Sequence, residues 1–188
     1  LDAQTARIQI WEELLKVARP DSKFSWAFSE FICDYEGSEK GTALLTATDL
    51  YKNANVIFIT PDNNLETLRE QALLDKKTVI MTNYGITRGF FLIEPGQIPS
   101  GRESFASLLD GIGRYWKHQT LAQLQKAIGH IDMMVTGASA ITPGGVRFGK
   151  GHGYFDLEWA MLSSFGLADA STVIIGAGHD CQVVDVDV

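Results

Sequence analysis

Four short apolar runs, Val56-Ile57-Phe58-Ile59, Val79-Ile80-Met81, Met133-Met134-Val135 and Val173-Ile174-Ile175, each follow a stretch with helical spacing. None alternates apolar with polar residues, so each strand is expected to be covered on both faces. Such strands, separated by amphipathic helices, predict an α/β fold with a mostly parallel sheet between helical layers. Phe90-Phe91-Leu92-Ile93 adds a fifth run. The helices are expected at residues 4–18, 38–53, 63–75, 120–128 and 154–165. The first carries Ile8, Trp11, Leu14, Leu15 and Ala18 on one face and is stopped by Pro20. Asn63 or Asn64 caps the third, which turns Leu65, Leu68, Ala72 and Leu73 to the sheet. Residues 24–35 mix two periodicities and take no single assignment. The stretch 94–118, with Pro95, Gly96, Pro99, Gly101, Gly111 and Gly113, reads as an excursion or lid.

With 188 residues, 45% of them hydrophobic, the chain is expected to form one domain over residues 1–188. A domain of that size buries about 70% of its unfolded surface and needs no disulfide. Cys33 and Cys181 form no CxxC pattern, which argues against a bridge or a zinc knuckle and makes a reducing cytoplasm the expected compartment. A net charge of −7 argues against nucleic acid as a partner, and no apolar run approaches a bilayer span. Oligomeric state is not legible.

In folds of this kind ligands collect at the carboxyl ends of the strands. The segment that fits such a place is Gly144-Gly145-Val146-Arg147-Phe148-Gly149-Lys150-Gly151-His152-Gly153-Tyr154-Phe155-Asp156, between a strand and a helix. Glycines let successive N–H groups converge on one concavity, and a helix beginning near Tyr154 adds its positive end, so the loop reads as an anion site. Arg147 offers a planar fork for phosphate oxygens and Lys150 a movable point charge. The spacing is neither a Walker A box nor GxGxxG. The competing reading is a hairpin or left-handed turn that touches no ligand. Elsewhere, His179-Asp180-Cys181 would point to opposite faces of a strand and so make a poor metal site, better suited to lining the pocket. Ser139 lacks a nucleophile elbow and reads as a turn serine. Arg88 is a lone loop cation.

Residues 145–156 resemble the late motif G-x-R-[LI]-G-[RK]-G-x-G-Y-[YAF]-D of the 5-formyltetrahydrofolate cyclo-ligase (methenyltetrahydrofolate synthetase) family. Asp156-Leu157-Glu158-Trp159-Ala160-Met161, residues 179–185, residues 7–11, Pro61-Asp62-Asn63-Asn64-Leu65 and Arg88-Gly89-Phe90 are similar to its divergent branch, the methenyltetrahydrofolate synthetase domain-containing proteins. The resemblance implies a three-layer αβα fold shared with NagB, RpiA and CoA transferases. It also implies an ATP-dependent ligase: ATP phosphorylates the formyl oxygen of 5-formyltetrahydrofolate, N10 attacks the activated carbon, and phosphate leaves to give 5,10-methenyltetrahydrofolate. By that resemblance Arg147 and Lys150 act on the phosphates. Arg7, Gly145, Gly149, Gly151, His152, Gly153 and Tyr154 complete the ATP site, and Asp156 holds Mg²⁺ directly or through water.

The chain departs from the family pattern at four places. Ala3 stands where a basic residue is usual, His152 replaces a lysine, Phe155 lacks a hydroxyl, and the sequence ends just after Asp185 and Asp187 where the family continues through an acidic strand. Each lost charged contact typically removes about 1.5–3 kcal/mol. The alternative expectation is therefore a nucleotide- or phosphate-binding paralogue that does not ligate folate. An RNA-associated adaptor, a third reading, is opposed by the acidic balance and the lack of an RRM signature.

Overall fold

A computed structural model describes residues 3–185, apart from the side chains of residues 3, 4 and 6. Asp187 and the side chain of Ala3 thus lie outside the described residues. In chain order the elements begin with α1 (Ala3–Leu14), α2 (Ser38–Ala47), α3 (Asp49–Asn53), β1 (Val56–Ile59), α4 (Glu66–Leu74), β2 (Thr78–Thr82) and β3 (Phe90–Ile93). They continue with α5 (Glu103–Ser107), α6 (Ile112–Tyr115), β4 (Lys117–Gln119), α7 (Leu121–Ile128), β5 (Met133–Gly137), β6 (Ala140–Ile141), β7 (Arg147–Phe148), α8 (Tyr154–Ser164) and β8 (Val173–Ala177).

Six strands form one sheet in the order β4-β3-β2-β1-β5-β8, and β6 and β7 form a separate ribbon. The predicted runs β1, β2, β5 and β8 are mutually parallel, with Ile57 opposite both Val79 and Met133, and Met134 opposite Ile174. Side chains alternate between faces along each strand. Ile57, Ile59, Val79, Met81, Met133 and Val135 pack under Leu65, Leu68 and Ala72 of the α4 region. Phe58, Ile80, Leu92 and Met134 pack under Leu124 of α7 and Leu162 of α8. The expected mostly parallel sheet between helical layers is what forms.

Several boundaries differ from expectation for local reasons. The first helix stops at Leu14, not Ala18, because Ala18 bridges Tyr35 and Arg19 donates its N–H to the Asp34 carbonyl, while Ile8 and Leu15 face solvent. The helix expected over 38–53 breaks at Thr48, whose Oγ1 donates to the Leu45 carbonyl and accepts the Tyr51 N–H. Residues 24–35 are mostly turns that bury Phe28, Phe31 and Cys33 against Leu14. The stretch 94–118 is packed structure rather than a lid. It carries α5, α6 and part of β4, which extends the sheet antiparallel to β3, and the Trp116 indole N–H donates to the Ala106 carbonyl at 2.8 Å.

Candidate active site

The carboxyl ends of the three adjacent strands β2, β1 and β5 present Thr82, Thr60 and Thr136, all buried. Each hydroxyl directs its proton into the protein. Thr60 donates to the Asp62 carboxylate at 2.5 Å, Thr82 to Glu158 at 2.5 Å and Thr136 to the Gly137 carbonyl at 3.1 Å. These groups floor a cavity of about 280 Å³. Asp62 also accepts the Gly137 N–H at 2.9 Å, and a Cβ on Gly137 would lie 2.9 Å from that carboxylate, so only glycine permits the approach. Behind the floor, the fully buried Arg69 donates to the carbonyls of Ser107, Thr60 and Asp62 at 2.7, 2.8 and 3.0 Å.

The mouth is the glycine-rich loop. The ribbon β6–β7 turns through residues 142–146, where the Gly145 N–H donates to the Thr142 carbonyl. That part is a hairpin, as the competing reading had it, and Gly145 lies in its turn, outside the cavity lining. Residues 149–153 then cross the mouth to α8. Among the described residues, the N–H groups of Lys150, Gly151, His152 and Gly153 donate to no protein acceptor. Gly151 and Gly153 have φ of 104° and 69°, the left-handed region that favours glycine.

Three basic residues pin this loop from different directions. Arg7 of α1 donates to the Gly149 carbonyl at 3.0 Å, and Arg147 of β7 to the Gly137 carbonyl at 2.8 Å. The guanidinium of Arg147 lies 5.2 Å from the Phe155 ring centroid, which gives the Phe155 departure a role as a cation–π platform. Lys150 donates to the Glu30 carbonyl at 2.9 Å and faces the rings of Tyr84 and Tyr154 at 5.4 and 5.9 Å. Burial pulls the pKa of both Arg147 and Lys150 down, opposed first by the negative field of Asp62. Both are therefore basic groups poorly hydrated and near the mouth, which favours an incoming anion.

Opposite the loop, residues 83–87 turn tightly after β2. Gly85 and Ile86 are both left-handed, at φ 69° and 56°, and Asn83 fastens the turn by donating to Thr87 Oγ1 and accepting the Arg88 N–H. Tyr84 donates to Asn63 Oδ1 at 2.6 Å, and burial pushes its phenol upward.

Of the residues expected from sequence, Arg7, Arg147, Gly149, Lys150, Gly151, His152, Gly153, Tyr154 and Asp156 are all brought together on this cavity. His179, Asp180 and Cys181 are not part of its lining. They form a turn in which the His179 Nδ1 accepts the Cys181 N–H and Gln182 ties the segment to the Ala138 carbonyl. Among the described residues no three His, Cys, Asp or Glu side chains cluster as metal ligands. Arg88 lies over the Phe91 ring, away from the lining, and Ser139 is buried, its N–H on the Phe148 carbonyl.

Sequence reasoning missed the floor, and Glu158 most of all. This carboxyl is 2% exposed, and burial pushes its pKa up to about 8, opposed by the Thr82 hydroxyl. Its signal was a lone acid at i−4 from the buried Leu162, on the core face of α8. Threonine at the ends of three consecutive strands of the sheet was the second signal.

A family model described as the 5-formyltetrahydrofolate cyclo-ligase family matches residues 3–188. Similar curated proteins include the human methenyltetrahydrofolate synthase domain-containing protein, 30% identical over 97% of this chain and 47% of that protein. The bovine protein of the same name is 28% identical over 97% and 47%. The chain spans about half the length of the curated relatives it matches. The solved structure of Aquifex aeolicus 5,10-methenyltetrahydrofolate synthetase superposes with a TM-score of 0.54 at 14% identity, covering 98% of this chain and 83% of that one, a likeness of fold. No helix among the described residues is long and apolar enough to cross a membrane. With the α/β fold and the match over nearly its whole length, the chain belongs to the 5-formyltetrahydrofolate cyclo-ligase family, a family of enzymes.

Proposed function

We propose that the protein is an ATP-dependent ligase that converts 5-formyltetrahydrofolate to 5,10-methenyltetrahydrofolate in the cytoplasm, within a single domain. The observation that carries this reading is the run of four N–H groups at residues 150–153 that meet no acceptor among the described residues, beside Arg7, Arg147 and Lys150. That combination suits a polyphosphate. The hydroxyl protons of Thr60, Thr82 and Thr136 are all turned inward, so the floor offers those three oxygens chiefly as acceptors. Such a floor suits the amino and ring N–H donors of a pterin, with the Tyr84 and Tyr154 rings beside it.

In this reading the formyl oxygen takes the γ-phosphoryl group and ADP leaves. N10 then closes on the activated carbon and phosphate departs. The amides, Arg147 and Lys150 neutralise the charge on the transferring group, and the two walls hold the partners in line, so no nucleophilic side chain is needed. Asp156, an exposed carboxylate on the lining, fits the small protein share that Mg²⁺ asks for when phosphate oxygens and water complete its shell. The ion would supply charge neutralisation there.

Lys150→Ala and Arg147→Ala are each expected to weaken ATP binding by about tenfold or more in calorimetry while the protein stays folded. Unchanged affinity in both would remove the phosphate assignment. Formation of 5,10-methenyltetrahydrofolate, followed by its absorbance, tests the reaction itself. ATP binding without turnover would favour the non-ligating paralogue.

A further inference from the structure

A second cavity, of about 190 Å³, lies between α2, the turn after β1 and the carboxyl ends of β5 and β8. Part of its lining is apolar: Leu45, Leu65, Leu68, Val135 and Ile175. The rest is polar and neutral. Ser38 and Thr42, one turn apart on α2, are 5% and 9% exposed, yet neither hydroxyl meets a hydrogen-bond partner among the described residues. Tyr35 accepts only a long hydrogen bond, at 3.5 Å, from the Asn64 amide. Buried polar groups are ordinarily paired, so two hydroxyls without a partner and a third with only a long one, all lining one small space, point to an occupant that pairs them.

Gly41 marks the same place independently. It stands inside α2, where glycine costs about 1 kcal/mol relative to alanine. Its φ is not in the left-handed region, and a Cβ built on it meets no heavy atom within 4 Å. Neither backbone conformation nor packing requires glycine there, and the position, itself exposed, lies on the rim of this lining, where a large side chain can reach over the cavity.

We propose that this second cavity binds a small neutral carboxamide or lactam with an apolar body. Ser38 and Thr42 lie on one helix face and can both donate to a single carbonyl oxygen, which has two lone pairs. The Tyr35 oxygen, on the same lining, can accept the N–H. Among the described residues no charged side chain lines the space, so a charged ligand would be buried without compensation. About 190 Å³ holds roughly ten non-hydrogen atoms. The site is distinct from the folate and nucleotide cavity, but the turn of residues 61–65 serves both: Asp62 lines one and Asn64 the other.

The test uses the full chain, followed by ¹⁵N–¹H NMR during titration with benzamide, benzoate and toluene. Benzamide is expected to produce saturable shifts confined to Tyr35, Thr42, Leu45, Asn64 and Ala177. Benzoate should bind at least about tenfold more weakly, and toluene likewise. Thr42→Val, close in volume, should weaken benzamide by about tenfold, and Gly41→Leu should abolish it while leaving ATP binding in place. Absence of saturable shifts, equal binding of benzamide and benzoate, or benzamide affinity unmoved in both variants would each overturn the proposal and leave a water-filled cavity. Because 5-formyltetrahydrofolate turnover is measured separately, neither result depends on the folate reading.

Discussion

The loop over the mouth of the main cavity and the floor beneath it are held in different ways. Residues 150–153 give none of their N–H groups to an acceptor among the described residues, and the loop is fixed by the long side chains of Arg7, Arg147 and Lys150 reaching to carbonyls. The floor is fixed by buried hydrogen bonds around Asp62, the three threonines and Arg69, of whose buried side-chain atoms only Arg69 Nη2 meets no partner among the described residues. The difference teaches where each property resides. Stability is concentrated below, where partners have left water, and affinity for an anion above, where donors have been kept free.

The sharpest way to break that contrast is to remove the floor's brace. Arg69→Met keeps an apolar side chain in place but strips donors from three buried carbonyls, while also removing a buried cation whose pKa burial already lowers. Losing one member of a buried polar network typically costs about 3–5 kcal/mol. The urea midpoint should fall by that equivalent with an unchanged slope. A change below about 1 kcal/mol would mean that the floor does not hold the fold.

A smaller effect sharpens the contrast through pH. Glu158 has its carboxyl pushed up to about 8 by burial, against about 4.3 in an unfolded chain. The native state therefore keeps a proton that the unfolded state gives up. This contribution is fully present below pH ~4.3 and is lost as pH rises through about 8, with a slope of at most about 1.4 kcal/mol per pH unit. Glu158→Gln removes the titration. In metal-free buffer its urea midpoint should therefore gain on the wild type steadily between pH ~5 and ~8. Parallel curves would show that this carboxyl does not titrate there.

How far these two regions were legible follows from the same contrast. The mouth announces itself because its function depends on local sequence: glycines at left-handed positions and cations between them must be contiguous. Its neighbour Gly145 shows the limit, since a glycine serving a hairpin turn looks the same in sequence as one serving a ligand. The floor comes from Thr60, Thr82, Thr136 and Glu158, spread over about half the chain and joined only by strand order. That order puts β1 between β2 and β5, which no spacing reveals. The parallel strands were readable from their unbroken apolar runs, whereas β4, Lys117-His118-Gln119, is a polar edge whose identity is set by pairing with β3. The early stop of α1 has the same origin, a bridge from Ala18 to Tyr35 overriding local periodicity.

The smallest predicted effect is on the mouth's far wall. Ile86 holds φ 56° although it is β-branched, a conformation that costs about 1–2 kcal/mol. Asn83 and the Gly89 N–H, which donates to the Ile86 carbonyl, keep the turn in that shape. Ile86→Gly relieves the strain, but it loosens the unfolded chain by about 0.5–1 kcal/mol and gives up part of an apolar contact. The net change should be a gain of less than about 1 kcal/mol, read as a slight rise in Tm. If the strained turn serves to pre-set the wall opposite Lys150, the same variant should bind ATP about two- to fivefold more weakly, since ordering the turn would then fall to the ligand. A more stable protein with weaker affinity would place the strain in the service of binding. A loss of stability together with unchanged affinity would make Ile86 an ordinary packing residue and put the mouth under the same rule as the floor.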